Sequence, residues 1–246
     1  MKFLDYGFLA KLLHLQDLVA AFLPCKEIFI LHDEEYFRQV LSIDRSGLGV
    51  FVGDQLIAFS ILRFPGLSSE NLGRDIYLQE EELGGVAHLQ AAAVHPAYRG
   101  HGLQRNLILA HLGVIEEMGY DHACCTVSPK NPVSLGNYLS CGLAIEGLCP
   151  KKHGWWRFIL HKKIRRKGGP NLQNASDMQN EADKQEQANM KDQGDTNESC
   201  AQIAVSRISI ADIDGQLNLI KTGFKGFKLT AQPEGVQIFY GKSESP

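Results

Sequence analysis

No apolar run in the sequence approaches the roughly 20 residues that a membrane-spanning helix requires, so a spanning segment is not expected. The N-terminus imitates a leader in Phe8-Leu9-Ala10 and Val19-Ala20-Ala21-Phe22-Leu23. Yet Lys11, His14 and Asp17 interrupt that run, and Pro24-Cys25 makes a poor cleavage or lipidation site. An excess of one charge is missing too, since Lys+Arg 25 against Asp+Glu 28 leaves a formal net charge of −3. Nothing in that balance calls for nucleic acid or an anionic membrane as a partner. Lys162-Lys163 with Arg165-Arg166-Lys167 reads as a charged strand end. The cysteines at 25, 124, 125, 141, 149 and 200 show neither CxxC nor a Cys/His ligand spacing, which argues against a zinc site and for reduced thiols. A soluble, cytoplasmic protein without a metal is the resulting expectation.

Apolar residues make up 44% of the 246-residue chain, enough for a packed core in one domain, with or without an appendage. Helical spacing runs over 7–23 through Phe8, Leu12, Leu15, Val19 and Phe22, and a second helix over 33–42 opens on Asp33. The period then changes to two, and strands over 49–52 and 56–62 flank Gly53-Asp54-Gln55 as a hairpin. Residues 65–86 read as a long loop with room for one short helix. Next come strand 88–94, helix 103–118, strand 121–127, helix 132–140 and strand 155–163, an alternation that predicts a mixed α/β sheet. Over 165–200 there is no Phe, Trp, Tyr, Ile or Val. Such a stretch buries too little apolar surface to offset its ordering entropy and is expected to be a disordered linker. It separates a main domain over 1–164 from a β-α-β-β segment over 201–246, too small to hold a core alone and expected to dock on the main domain.

From His88 to Gln104 the chain combines a strand, a glycine turn and a helix start. Backbone N–H groups at such a turn converge on a pyrophosphate, helped by the helix dipole, and glycine permits close approach. A Gly-x-Gly pair alone also suits an ordinary strand-to-helix turn. The dinucleotide fingerprint needs a third glycine where Arg105 stands, and the Gly-Lys-Ser/Thr of a Walker loop is missing. Val94-His95-Pro96-Ala97-Tyr98-Arg99-Gly100-His101-Gly102, however, resembles the V-x-P-x-Y-R-G-x-G motif of the GNAT superfamily of acetyltransferases. Asn131-x-x-Ser134-x-x-x-Tyr138-x-x-x-Gly142-Leu143 resembles that family's second motif, and both the order and the spacing fit. The departures are Gln104, where the family prefers Gly or Ala, and Leu143, which replaces Phe.

This resemblance implies the GNAT fold: a central mixed, mostly antiparallel α/β sheet splayed between its fourth and fifth strands, with helices on both faces and the C-terminal β-α-β-β segment as an appendage. It implies acetyl-CoA as co-substrate, no metal, and the amine of a small molecule or protein as acceptor. Ala92, Ala93 and Val94 would lie along the pantetheine and thioester, and the amides of Arg99, Gly100, His101, Gly102, Leu103 and Gln104 on the pyrophosphate, with Asn131 beside them. Direct transfer needs a neutral amine, yet a group with pKa near 10.4 is only about one part in 2,500 neutral at pH 7, a deficit of roughly 4.6 kcal/mol. His88, on the same strand face as Ala92 by simple alternation, is the expected base, with Glu80, Glu81 or Glu82 in reserve. The local string also resembles arylalkylamine N-acetyltransferases, which carry His-x-His here, with Gln90 in place of the second histidine. Tyr138 matches the family's general acid toward the departing CoA thiolate, and a plain aromatic core residue is the other reading. The competing function is a non-catalytic acyl-CoA-binding module with the C-terminal segment as effector.

Limited trypsin digestion is expected to cut first between Lys167 and Cys200, leaving two fragments that co-purify if the C-terminal segment docks. Protection of that stretch would refute the linker reading.

Overall fold

A computed structural model describes residues 1–164 and 204–242, so the expected linker lies outside the described residues. The chain opens with β1 (Lys2–Leu4), α1 (Leu9–Ala21) and α2 (Glu34–Leu41). Asp33 starts α2 because its carboxylate accepts the Tyr36 N–H at 2.8 Å, meeting one of the donors a helix start leaves over. Next come β2 (Gly47–Val52), β3 (Gln55–Arg63), the short α3 (Glu80–Leu83), β4 (Val86–Val94), α4 (Leu103–Glu117), β5 (His122–Val127) and α5 (Pro132–Ser140). After these, β6 (Ala144–Pro150) and β7 (Trp156–Lys163) precede the C-terminal β8 (Ala204–Ser209), α6 (Ile213–Lys221), β9 (Lys225–Gln232) and β10 (Gly235–Lys242). The sequence pattern does not announce β1 or β6. β6 is interrupted by a bulge at Glu146, between the register pairs Ile145↔Leu160 and Gly147↔Ile159.

Among the described residues ten strands form one sheet in the order β1-β2-β3-β4-β5-β7-β6-β9-β10-β8. Every pairing among the described residues is antiparallel except β4 with β5, which is parallel and holds only Val86↔His122, Ala87↔Ala123 and His88↔Cys124. One face is covered by α4 and α5, which pack Ile108, Leu112, Ile115, Leu135 and Leu139 against Leu62, Leu89 and Cys125. The opposite face near β3 and β4 is covered by α1 and α2, through Leu12, Leu15, Phe37 and Val40 against Phe59, Ile61, Ala91 and Ala93. This is the mixed α/β architecture expected from the alternation of elements, and the opening between the fourth and fifth strands is the one that the resemblance implies. Cys124 and Cys125 point to opposite faces as alternation requires, and the described cysteines are all free thiols. Among the described residues no helix is long and apolar enough to cross a membrane.

The C-terminal strands extend the same sheet. β9 meets β6 at Ile145↔Gly226, and Phe227, Ile238 and Tyr240 are buried. The Tyr240 hydroxyl donates to Gln216 Oε1 at 2.9 Å, and Gln216 Nε2 donates to the Ile210 carbonyl at 2.9 Å, which leaves this buried amide satisfied.

Gly226 permits the contact between β6 and β9, because a Cβ there would stand 2.8 Å from Ile145 Cδ1 and 3.1 Å from Ile145 Cβ. Gly226→Val is therefore expected to destabilise the protein by about 1–3 kcal/mol through overpacking, read as a lower urea midpoint. An unchanged midpoint would mean that β9 does not pack on β6 as described.

Candidate active site

Beyond His88 and Cys124 the paired edges of β4 and β5 diverge, and a cleft opens between them. On its β3 side β4 stays fully paired, although Ile61 opposes Ala91 and Leu62 opposes Leu89, so Gln90 is an extra residue in a β-bulge. The bulge reverses the alternation. Leu89 packs with α4 and α5, whereas Ala91 packs with α1 and α2. His88 and Ala92 therefore lie on opposite faces, contrary to the expectation from simple alternation.

Gln90, Ala92, Thr126 and Ser128 line the inner cleft together with Tyr138, Gln104 and Asn131. It runs into a groove of about 550 Å³ that shares Ala92, Gln104 and Asn131 and continues along Ala93, Val94 and Leu103. Arg99, Gly100 and Gly102 form the groove's rim. Gly100 and Gly102 have φ of 81° and 69°, the left-handed region, and a Cβ on either would meet nothing within 4 Å. The turn thus faces open space, and Gly102 starts α4 without any side-chain cap, which leaves the first amides of the helix without a side-chain partner. His101 does not line the groove, and its Nδ1 lies 3.0 Å from the Arg99 carbonyl. Gln104 does not crowd the turn, since its Nε2 donates to Ser134 Oγ at 2.8 Å and its Oε1 accepts from Asn137 Nδ2 at 2.7 Å, tying α4 to α5. Asn131 caps α5 by accepting the Ser134 N–H at 3.1 Å.

His88 is buried and does not line the cleft; its Nε2 accepts the Leu72 N–H at 3.1 Å. Burial, with Arg63 and Lys151 adding to it, pushes its pKa down to about 3. The position of His88 does not support the expected base: the imidazole lies on the other face from Ala92, accepts the Leu72 N–H and is not part of the cleft lining, with Gln90 between it and the cleft. Among the reserves, Glu80 pairs with Arg74 at 2.9 Å and Glu82 accepts the Gln79 N–H at 3.0 Å. The histidine that does line the cleft is His32, which the periodicity of the sequence passed over because it sits in an irregular segment. Gln16 holds its backbone from both sides, donating to its carbonyl and accepting its N–H at 2.8 Å each, and its ring stacks on Tyr36 with centroids 3.8 Å apart. Burial, with Lys152 next, lowers its pKa to about 4. Arg157 was also missed; it is buried at the cleft and donates to the Glu27 carbonyl at 2.7 Å. Tyr138 is buried on α5 at the cleft, and desolvation holds its hydroxyl well above the usual phenol range. Among the described residues no cluster of three or more His, Cys, Asp or Glu side chains gathers as a metal would need.

Residues 15–143 match the family model described as the acetyltransferase (GNAT) family. Among solved structures, the chain is similar to yncA of Salmonella typhimurium, described as an acetyltransferase and solved with acetyl-CoA: 13% identity over 70% of this chain and 97% of that one, TM-score 0.52. It is also similar to the ribosomal-protein-alanine N-acetyltransferase of Brucella melitensis, at 18% identity over 66% and 98% of the two chains with TM-score 0.51. Chaetomium thermophilum Naa20, in complex with a bisubstrate analogue, matches at 14% identity over 69% and 93% with TM-score 0.51. At these identities the likeness concerns the fold. No protein of curated function matches the chain in sequence.

The buried histidines predict an acid limit. Burial lowers His88 and His111 to about 3 and His32 to about 4, below the unfolded value near 6.5. The neutral rings are therefore the folded forms. Their contribution is complete above about pH 6.5 and is lost as pH falls toward 4 and 3, each site adding a slope of up to about 1.4 kcal/mol per pH unit. Urea midpoints should fall from pH 7 to pH 4.5, and His111→Gln should flatten that fall; a flat wild-type profile would contradict these assignments.

Proposed function

This chain belongs to the acetyltransferase (GNAT) family, and from that footing we propose that it transfers an acetyl group from acetyl-CoA directly to an amine. The observation that carries the reading is the opening of β4 from β5 into a groove rimmed by the left-handed turn at Gly100 and Gly102. An uncapped helix start and a turn with open space over both glycines suit a pyrophosphate, because backbone N–H groups and the helix dipole favour an anion there. In this reading the amides of Arg99, Gly100, His101, Gly102, Leu103 and Gln104 receive the phosphates. The backbone of Ala92, Ala93 and Val94 then lies along the pantetheine arm, with Asn131 across the cleft.

The acceptor nitrogen attacks the thioester carbon, forming the C–N bond as the C–S bond breaks. His32, the histidine that lines the cleft, accepts the proton that the nitrogen sheds as the C–N bond forms and passes it to water. Tyr138 gives its proton to the leaving sulfur and regains one from water, which balances the amine proton released there. Desolvation holds its proton on, so the hydroxyl is present as a donor across the physiological range. Free thiols at Cys25, Cys124, Cys125, Cys141 and Cys149 suit a reducing compartment, and the cytoplasm is the proposed location.

Acetyl-CoA at a thousandfold excess over Kd should stabilise the protein by about 4 kcal/mol, visible as a thermal shift that Gly102→Leu abolishes. An amine panel read by CoA release should then give turnover. Tyr138→Phe is expected to keep the thermal shift and lose roughly 10²–10⁴ in turnover. A wild-type rate in that variant, with chemistry limiting, would take the donor role from Tyr138, and the lack of any shift with wild-type protein would overturn acetyl-CoA binding.

A further inference from the structure

Arg157 is the one charged residue that lines the inner cleft, and no Asp or Glu lines it among the described residues. Its neighbour Phe158 packs with α4 and α5, so alternation along β7 turns Arg157 to the other face. There it stands under the segment between α1 and α2 that gives Ile28, Phe29 and His32 to the cleft. Nη2 donates to the Glu27 carbonyl of that segment at 2.7 Å, and Nη1 to the Trp156 carbonyl at 3.0 Å. A guanidinium has five N–H groups, so the Nε–H and one N–H on each terminal nitrogen are left without an acceptor among the described residues.

The side chain is buried, yet no carboxylate among the described residues pairs with it. Burial lowers its pKa, and Glu27, the acid that offsets this most, is itself paired with Lys130 at 2.8 Å. Arg63, whose charge reaches His32, is paired with Glu70, and Asp33 caps α2. Lys152, exposed in the turn before β7, forms no ion pair among the described residues and helps to lower the pKa of His32. The charge left over beside the cleft is therefore positive. A buried cation with open donors is costly until an anion meets them, and a carboxylate fits the planar fork through two parallel hydrogen bonds. The inner cleft holds about 80 Å³, roughly half of the ~150 Å³ that takes benzene, which admits a compact polar head and not a ring.

Resting on the acetyl-transfer reading above, we propose that Arg157 binds a carboxylate carried by the acceptor. The acceptor is then an amino acid whose amine and carboxylate enter the cleft together. Its carboxylate meets the open N–H groups of Arg157, and its amine faces His32 and the thioester. Arg157 thereby selects acidic acceptors over amines that carry no anion.

Isothermal titration of the full chain in the presence of CoA reads this without turnover, using glycine, L-alanine and L-serine, each against its own carboxamide. The acid should bind about tenfold or more tightly than its amide. In Arg157→Gln the acid should fall to the level of the amide, while the amide's affinity and the thermal shift with acetyl-CoA stay. A merely structural role would weaken all three alike. Arg157→Lys, which keeps the charge and loses the fork, serves if Arg157→Gln fails to fold, and should cut the preference by about threefold or more. Weakening of all three together, equal affinity of acids and amides, no binding by any of them, or a preference undiminished in a folded Arg157 variant would overturn the proposal. The two readings fail separately: acid preference without an acetyl-CoA shift or CoA release removes the transferase reading alone, and turnover on other amines without acid preference removes the carboxylate site alone.

Discussion

A parallel pairing of three residues, Val86–His88 against His122–Cys124, is the constraint from which the site follows. Were it longer, β4 and β5 would close into a continuous sheet, with no cleft and no free backbone edge beside Ala92 and Val94. Were it absent, the two halves of the sheet would be joined only by the packing of α4 and α5 and by loop contacts. The strands part because different layers hold them. Beyond the bulge, Ala91 and Ala93 are packed toward α1 and α2, while Cys125 and Val127 are packed beneath α5. The unpaired edges left between them must find partners, and an extended ligand with amide groups would serve as the missing strand.

The glycine turn depends on that divergence. Val94 ends β4 at the mouth of the cleft, and the next eight residues must reverse direction and aim a helix start back at it. Positive φ at Gly100 and Gly102 achieves this at little steric cost, and the open space above both glycines is the space the cleft creates. Gln104, a departure from the family pattern, has its own local reason. By bridging Ser134 and Asn137 it fixes the start of α4 against α5, the two helices whose first turns border the groove.

Much of this was legible in the sequence because it rests on local chemistry. The helix opened by Asp33, the helix over 132–140, the strand stopped near Pro96 and the glycine turn each follow from residues adjacent in the chain. What was not legible depends on partners distant in sequence. β6 is broken by the bulge at Glu146, whose side chain meets His161 at 3.2 Å and Lys225 at 2.8 Å, a strand and a segment away. The bulge at Gln90 leaves no period of its own, so alternation put His88 in the cleft when it faces Leu72. His32 sits in irregular backbone, held there by Gln16, and no pattern marks it. Arg157 was the readable omission: a charged residue within the apolar run Trp155-Trp156-Arg157-Phe158-Ile159 needs a buried partner, and the Glu27 carbonyl is that partner.

The C-terminal strands bear on the core more than their position suggests. Ile238 and Tyr240 belong to the same buried cluster as Leu135, Tyr138 and Leu139, so the packing that places Tyr138 at the cleft continues into β10. Lys225 reaches back to Glu146, which also meets His161, and His161 lies 3.0 Å from His122 at the root of β5. Taking that segment away would expose apolar surface under α5 and leave Glu146, half enclosed and paired on one side only, to find a new partner in water. The strand that borders the cleft and the helix that carries Tyr138 are thus both braced from residues beyond 204. An alteration in the C-terminal segment would reach the site through this packing and these hydrogen bonds, without any contact with the reacting atoms.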